Sequence, residues 1–218
     1  MNREEFLKLS AMMGLGLGLA PSLLTSCRKE DSLNVTFSGK VLIVGAGAAG
    51  LMAGYMLNQY GIDFQILEAS DRFGGRVRKD NTLADFPIDL GAEWLHTSPK
   101  VFGELIDDAN AQGTIDLISY QPESLHTYNN GNLSQQAWAQ HFYGEYKFKS
   151  TTWYDFFATY IVPSIQHNML LNTPVSTIDY SGSQVAVTTT NNEVHYADKV
   201  VVTVPVAVLK SNAINFIP

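Results

Sequence analysis

The chain has 218 residues, 45% hydrophobic and 16% charged, with a formal net charge of −7. That balance supplies apolar material for one sizeable core or two small ones. An acidic chain is short of the Lys and Arg that neutralise phosphates, so nucleic acid is not an expected partner. The lone cysteine, Cys27, excludes an internal disulfide and a Cys-rich metal site. The five histidines (His96, His126, His141, His167 and His195) carry no ligand spacing, so no metal is expected.

Residues 1–27 read as an address and not as part of the fold. Arg3 and Lys8 lead into an apolar stretch, residues 9–24, which is shorter than the roughly 20 residues a membrane span needs. Gly14, Gly16 and Gly18 alternate with leucine there, each costing a helix interior about 1 kcal/mol. The ending Leu24-Thr-Ser-Cys27 resembles a bacterial lipoprotein cleavage box, whose cysteine becomes the lipidated first residue of the mature protein. Residues 2–8 resemble a twin-arginine export signal in which Glu4 replaces the second arginine; general export is the alternative route. Residues 28–39 are polar enough for a tether. The expectation is an exported protein, periplasmic or membrane-anchored, that meets the membrane only through a lipid on Cys27.

Lys40–Val44 is a short, continuously apolar run, the pattern of a parallel strand covered on both faces. Ala48–Gln59 has helical spacing of Leu51, Met52, Tyr55 and Met56, and Gly61 stops it. Asp63–Leu67 is the next strand, completing a βαβ unit. Residues 101–111 and 154–164 are predicted helices, and Asn129-Asn-Gly-Asn132 a turn. The aromatic residues Trp138, Phe142, Tyr143, Tyr146, Phe148, Trp153, Tyr154, Phe156 and Phe157 are read as packing in preference to a substrate cage. Residues 184–190 and 193–196 form a predicted hairpin. Residues 199–204 have the composition of a fully buried strand that rejoins the sheet begun at Lys40.

Between the first strand and helix stands Gly45-Ala-Gly47-Ala-Ala-Gly50. The first glycine permits a tight turn, the second lets backbone approach a pyrophosphate, and the third lets helix and strand pack closely. The helix N-terminus adds N–H groups and positive dipole. Glu68, 18 residues after Gly50, ends the second strand where a carboxylate accepts from ribose hydroxyls and repels a 2′-phosphate. NAD and FAD remain open on these residues, and NADP is disfavoured.

The next segment, Glu68-Ala-Ser-Asp-Arg72-Phe-Gly74-Gly75-Arg76, resembles the E-x-x-x-R-x-G-G-R pattern of flavin-containing amine oxidases. The resemblance continues through Asp89-Leu-Gly-Ala-Glu-Trp-Leu-His96, Asn172-Thr-Pro-Val-Ser-Thr-Ile178 and Asp198-Lys-Val-Val-Val-Thr-Val-Pro-Val-Ala-Val-Leu-Lys210, in the family's order. It implies FAD as cofactor. The cofactor-binding residues it implies are Gly45, Gly47, Ala48, Ala49, Gly50, Glu68, Arg72, Gly74, Gly75, Arg76, Gly91, Ala92, Glu93, Trp94 and Val175. Arg72 and Arg76 would meet the pyrophosphate. Gly91 and Ala92 would be the small residues beneath the flavin ring, and Val175 would bind the adenine side through its backbone. Glu93 and His96 would face a substrate channel.

The implied fold is α/β, a Rossmann-type FAD-binding domain with a parallel sheet and a partial, mixed helical/β second region. Residues 40–97 would form the FAD-binding unit, 98–170 a shortened helical substrate region, and 171–218 a β-rich return to the sheet. The implied activity is oxidation of a small-molecule amine to an imine, with O₂ as acceptor and H₂O₂ as product. The family's catalytic lysine and aromatic pair have no match here, so catalytic residues are unassigned. The chain is therefore expected to be incomplete and inactive alone, with a companion polypeptide as one source of the missing half. A desaturase or protoporphyrinogen oxidase-like flavoprotein, or a non-catalytic FAD-binding domain, are the rival readings.

One outcome can be checked without a structure. Cys27→Ser should move the protein from the membrane pellet to the soluble fraction. Identical fractionation of the two forms would remove the lipoprotein reading.

Overall fold

The computed structural model describes residues 37–106, 115–120, 125–136 and 145–218. Cys27 and the rest of residues 1–36 lie outside them, as do Trp138, Phe142, Tyr143 and residues 107–111 of the first predicted helix after the glycine unit.

Strand β1 (Lys40–Val44) is buried at four of its five positions. Side chains of a strand point alternately to opposite faces, and β1 buries both. Val41 and Ile43 enter one core, and Leu42 and Val44 enter a second. This is why the run shows no polar alternation. Helix α1 (Ala48–Gln59) follows the glycine loop, and β2 (Asp63–Leu67) returns parallel to β1, in register from Lys40↔Asp63 to Val44↔Leu67. All three match the predicted bounds.

A two-stranded ribbon follows, β3 (Arg78–Asp80) against β4 (Ile88–Leu90). Helix α2 (Lys100–Ile106) then buries Phe102 completely. In the middle region β5 (Leu117–Tyr120) precedes the hairpin of β6 (Leu125–Asn129) and β7 (Asn132–Gln136). Asn130 and Gly131 turn the hairpin with φ of 46° and 83°, the left-handed geometry that Asn-Gly favours. Strand β8 (Glu145–Phe148) pairs antiparallel with β5.

The predicted helix at 154–164 is one helical stretch in three parts: α3 (Trp153–Phe156), a π turn (Phe157–Ile161) and α4 (Val162–Ile165). Thr152 caps it: its Oγ1 accepts the Asp155 N–H at 3.2 Å and donates to Asp155 Oδ2 at 2.8 Å. The π turn has its cause in Pro163. Proline brings no N–H, and its ring would strike the carbonyl four residues earlier, so the ladder opens there. Phe102, Phe148, Trp153 and Phe156 pack ring against ring at centroid distances of 4.9–6.0 Å. These aromatics belong to the core, as packing residues should.

Strand β9 (Met169–Leu170) adds to β2. Then β10 (Val175–Asp179), β11 (Val185–Thr189) and β12 (Val194–Ala197) form an antiparallel meander, and β13 (Lys199–Val202) pairs parallel with β1. Helix α5 (Val206–Lys210) and β14 (Asn215–Ile217) close the described chain. The result is one parallel sheet, β13-β1-β2-β9, and a second sheet, β12-β11-β10-β14. Helices α1, α3 and α4 supply the core on one face of the parallel sheet, and the second sheet supplies the core on the other.

Residues 199–204 depart from expectation. The strand stops at Val202, and Val201 is 38% exposed. Val200 and Val202 pack toward the second sheet. Lys199 and Val201 point to the face where α1 lies over β1 and β2, and β13 stands at the sheet's edge, beyond that cover. Among the described residues no helix is long and apolar enough to cross a membrane.

The packing of α1 on the sheet leaves room for glycine and little more at position 54. A Cβ there would stand 2.9 Å from Ile66 Cδ1 and 3.0 Å from Phe64 Cε2. Gly54→Leu should lower unfolding free energy by about 1–3 kcal/mol, the range for overpacking. Gly54→Ala should sit near neutral, because about 1 kcal/mol of helix propensity offsets the crowding. Urea denaturation of the three proteins checks both.

Candidate functional site

The glycine loop is built by close backbone approach. Gly45 has φ of 104° and donates its N–H to Leu67 O at 2.8 Å, tying the end of β1 to β2. A Cβ on Gly50 would stand 1.9 Å from Gly45 O, so only glycine lets α1 start this close to the strand. A Cβ on Gly47 would meet nothing within 4 Å. Gly47 opens onto a cavity of about 850 Å³, and it caps α1 without any side-chain hydrogen bond. The first turn of α1 holds no acidic residue. Its N–H groups and positive dipole end are therefore offered to an outside anion.

Glu68 lies half-buried on the cavity wall. Its Oε2 accepts the Ala46 N–H at 2.7 Å, and its Oε1 accepts the Ser70 N–H at 2.9 Å. Ser70 Oγ lies 2.7 Å from that Oε1 and 2.8 Å from Arg72 O, one proton serving both. The carboxylate is thus held rigid with lone pairs left for a ligand. Backbone bonds from Thr173 N to Glu68 O (2.7 Å) and from Asn172 N to Ser70 O (2.8 Å) bring the 172–175 segment alongside.

Gly74 N donates to Ala46 O at 2.8 Å, which docks the second glycine pair on the first loop. Gly74 and Gly75 have φ of 98° and 57°, and a Cβ on Gly75 would lie 3.2 Å from Gly47 Cα. The two arginines divide. Arg76 is exposed on the cavity. Arg72 donates to Phe73 O and Gly75 O, each at 3.2 Å, and so holds the glycine turn from within. Gly91 (φ 126°) packs against the other side, where a Cβ would stand 2.0 Å from Arg76 O.

One cavity gathers most of the residues singled out from sequence. Gly45, Gly47, Ala48, Ala49, Glu68, Gly74, Gly75, Arg76, Gly91, Ala92 and Val175 all line it. Gly50, Arg72, Glu93, Trp94 and His96 do not. Gly50 and Arg72 support the lining from behind. Glu93, Trp94 and His96 continue the chain beyond Ala92 into an ion-paired cluster with β8. There Lys147 pairs with Glu93 and stands 4.2 Å from the Trp94 ring centroid, and His96 Nδ1 lies 3.0 Å from Glu145 Oε1.

Thr203, within the 198–210 motif, has a role that its spacing does not reveal. Its Oγ1 lies 2.9 Å from Val44 O and 3.0 Å from Gly45 O, and its N–H donates to Val44 O at 3.0 Å. It fastens β13 to the glycine loop and lines the cavity. Val204, Pro205, Val208 and Ile214 add an apolar wall that no spacing rule marked.

Glycines that open backbone to the cavity, an uncapped helix N-terminus and an anchored carboxylate fit a dinucleotide. The fold and site thus define an α/β dinucleotide-binding protein. The sequence model of the flavin containing amine oxidoreductases matches residues 48–158 and 160–218, and the chain belongs to that family. Lysine-specific histone demethylase 1B of Mus musculus is 27% identical over 82% of this chain and 31% of its own length. Polyamine oxidase 1 of Zea mays is 40% identical over 39% of this chain and 17% of its own. The chain thus spans about a third of the demethylase. A structure of putrescine oxidase bound to putrescine shares the fold, with a TM-score of 0.62 at 15% identity, over 84% of this chain and 61% of that one. FAD is the cofactor this site is built for.

Asp89, two residues before Gly91, accepts the Trp153 N–H at 3.0 Å and so links β4 to the start of α3. Burial pushes its carboxyl from the ordinary 3.8 up to about 6; the Trp153 N–H opposes this, while Glu93 and Asp155 add to it. A folded chain that holds this proton more tightly than the unfolded chain is stabilised below about pH 4. That contribution is lost as pH rises through about 6. Asp89→Asn keeps an acceptor for the Trp153 N–H and does not titrate. Its melting temperature should gain on wild type between pH 5 and pH 7.5, and parallel melting curves at the two pH values would contradict the assignment.

Proposed function

We propose that this chain carries the flavin-binding part of an amine oxidase that oxidises a primary or secondary amine to an imine. The observation that supports this best is continuity. The glycine loop, Glu68 and the strip at Gly91 and Ala92 line a single cavity, and that strip runs directly into Glu93 and His96. One bed then serves both ends of an extended cofactor.

The positions support the following roles. The N-terminus of α1 and the Arg76 side chain, both on the cavity, would hold the diphosphate. Glu68 accepts from ribose hydroxyls with a carboxylate already oriented by Ala46 and Ser70. Val175, at the start of β10, flanks the adenine side, where the pairing with β11 slips by one residue and frees backbone. Gly91 and Ala92, small residues on the cavity wall, would leave room for the ring. Glu93 and His96 stand at the substrate side. FAD, when bound, would supply the acceptor for a hydride from the carbon beside the amine nitrogen, with O₂ taking up the two electrons and protons as H₂O₂. The protein's part is position, charge and exclusion of water.

The test separates the cofactor site from the fold. Glu68→Ala should weaken FAD retention by about 1.5–3 kcal/mol, the range for hydrogen bonds to a charged group. Gly47→Val should abolish retention while leaving the melting temperature of the cofactor-free chain little changed, because its side chain grows into the cavity. Visible flavin absorbance after dialysis reads both. Full retention by either variant would overturn the assignment. The amine itself is read from H₂O₂ formed with a panel of monoamines and polyamines.

A further inference from the structure

Beyond Ala92 the chain meets strand β8 at one antiparallel bridge. Leu95 N donates to Tyr146 O at 2.9 Å, and Tyr146 N donates to Leu95 O at 3.0 Å. Leu95 is buried, so the core fixes this register. Antiparallel counting from that pair sets Trp94 opposite Lys147 and His96 opposite Glu145. The side chains follow that register: Lys147 Nζ ion-pairs with Glu93 Oε1 and stands 4.2 Å from the centre of the Trp94 ring, and His96 pairs with Glu145.

A carboxylate on one side and an aromatic face on the other make the donor set for an alkylammonium ion. The N–H groups need an acceptor, and the ring quadrupole attracts the positive charge. The group seated there is itself a primary ammonium on a four-carbon stem. Glu93 and Trp94 follow directly in the chain on Gly91 and Ala92, which line the cofactor cavity.

We propose that Glu93 and Trp94 form a primary-ammonium subsite at the edge of the flavin bed, and that Lys147 occupies it as an internal competitor which an external amine must displace. The proposal rests on the amine oxidase reading and adds to it the identity of the occupant.

Exposure and charge both support exchange. The Lys147 side chain is 28% exposed and that of Glu93 45%, so water reaches the pair. Exposed ion pairs are weak, so the lysine can leave. The surrounding groups favour a cation in its place. Asp89, Glu93, Glu145 and Asp155 gather here against Lys79 and Lys147, and Lys79 is committed to Asp155 at 2.5 Å. Swapping Lys147 for an external ammonium keeps Glu93 paired and sends Lys147 to solvent. A neutral alcohol of equal length makes no such exchange.

The experiment uses the full chain with FAD, titrated calorimetrically with n-butylammonium and, as neutral control, n-butanol. If the internal pair is closed about nine-tenths of the time, Lys147→Met should bind n-butylammonium about ten-fold tighter than wild type. Adding Glu93→Gln to Lys147→Met should cancel the gain. Lys147→Arg, which keeps a cation over Trp94, should stay near wild type. Equal affinity of wild type and Lys147→Met, or a gain that survives Glu93→Gln, would overturn the proposal. A second reading needs no folded variant beyond Lys147→Arg for assignment. In wild-type protein with isotope-labelled lysine, the Lys147 ε-methylene protons are shielded by the Trp94 ring and should shift toward the free-lysine position as n-butylammonium is added. A signal that does not move also overturns it. Flavin absorbance of the same samples keeps the two ideas apart. Intact flavin without Lys147 dependence sinks only the subsite, and lost flavin with Lys147 dependence sinks only the cofactor assignment.

Discussion

At Gly50 the first turn of α1 rests on the carbonyl of Gly45, with no room for even a methyl group between them. Much of the site follows from that contact. It aims the N-terminus of α1 along the end of β1, where its unpaired N–H groups face the cavity. Thr203 closes the same point from the other side, reaching the carbonyls of Val44 and Gly45 with one hydroxyl. Strand order therefore has a chemical consequence. Because β13 lies beside β1, a residue some 159 positions away in the chain sets the shape of the glycine loop.

Charge is laid over this frame in a definite order. The helix end is positive and Glu68 negative, and the Glu68 carboxylate is held in its own place because both of its oxygens are tied down. Arg72 directs its guanidinium to the Phe73 and Gly75 carbonyls, which would otherwise present unpaired negative ends beside the cavity. Arg76 is left to face the cavity. Two arginines four positions apart thus have different work, one shaping the loop and one available to a ligand. The paired glycines between them decide which is which, since their positive φ values turn the chain back on itself.

The parts legible in the sequence are those fixed by local rules. Lys40–Val44, Ala48–Gln59 and Asp63–Leu67 were bounded correctly because each carries its own periodicity and is ended by glycine or a change of pattern. The glycine loop and Glu68 were legible because spacing along one βαβ unit is also spacing in space. Exposure of β13 was not legible, because an edge strand and a central strand share a composition. The π turn was hidden in a helical pattern, although Pro163 signals it to a reader who asks where the carbonyl four residues back would go. The pairing of residues 93–96 with β8 was out of reach, since it joins segments about fifty residues apart through a single bridge. Arg72 was legible as a residue of interest, and its turn inward was not.

What the long-range bridge adds is a boundary. From Gly91 to His96 one extended segment passes from the cofactor bed to an ion-paired surface in six residues. Small residues come first, where the backbone lies along the cavity wall. Charged and aromatic residues follow, where the segment leaves the cavity. Leu95 anchors the far end in the core and Asp89 the near end on the Trp153 N–H, so the segment cannot slide. A shift of one position toward the cavity would put Glu93 on the wall where Ala92 now lies and would pull it away from Lys147. Burying that carboxylate would cost far more than either hydrogen bond returns. The order of residue types along this strip is therefore the record of where the apolar bed stops and the wet, charged approach begins.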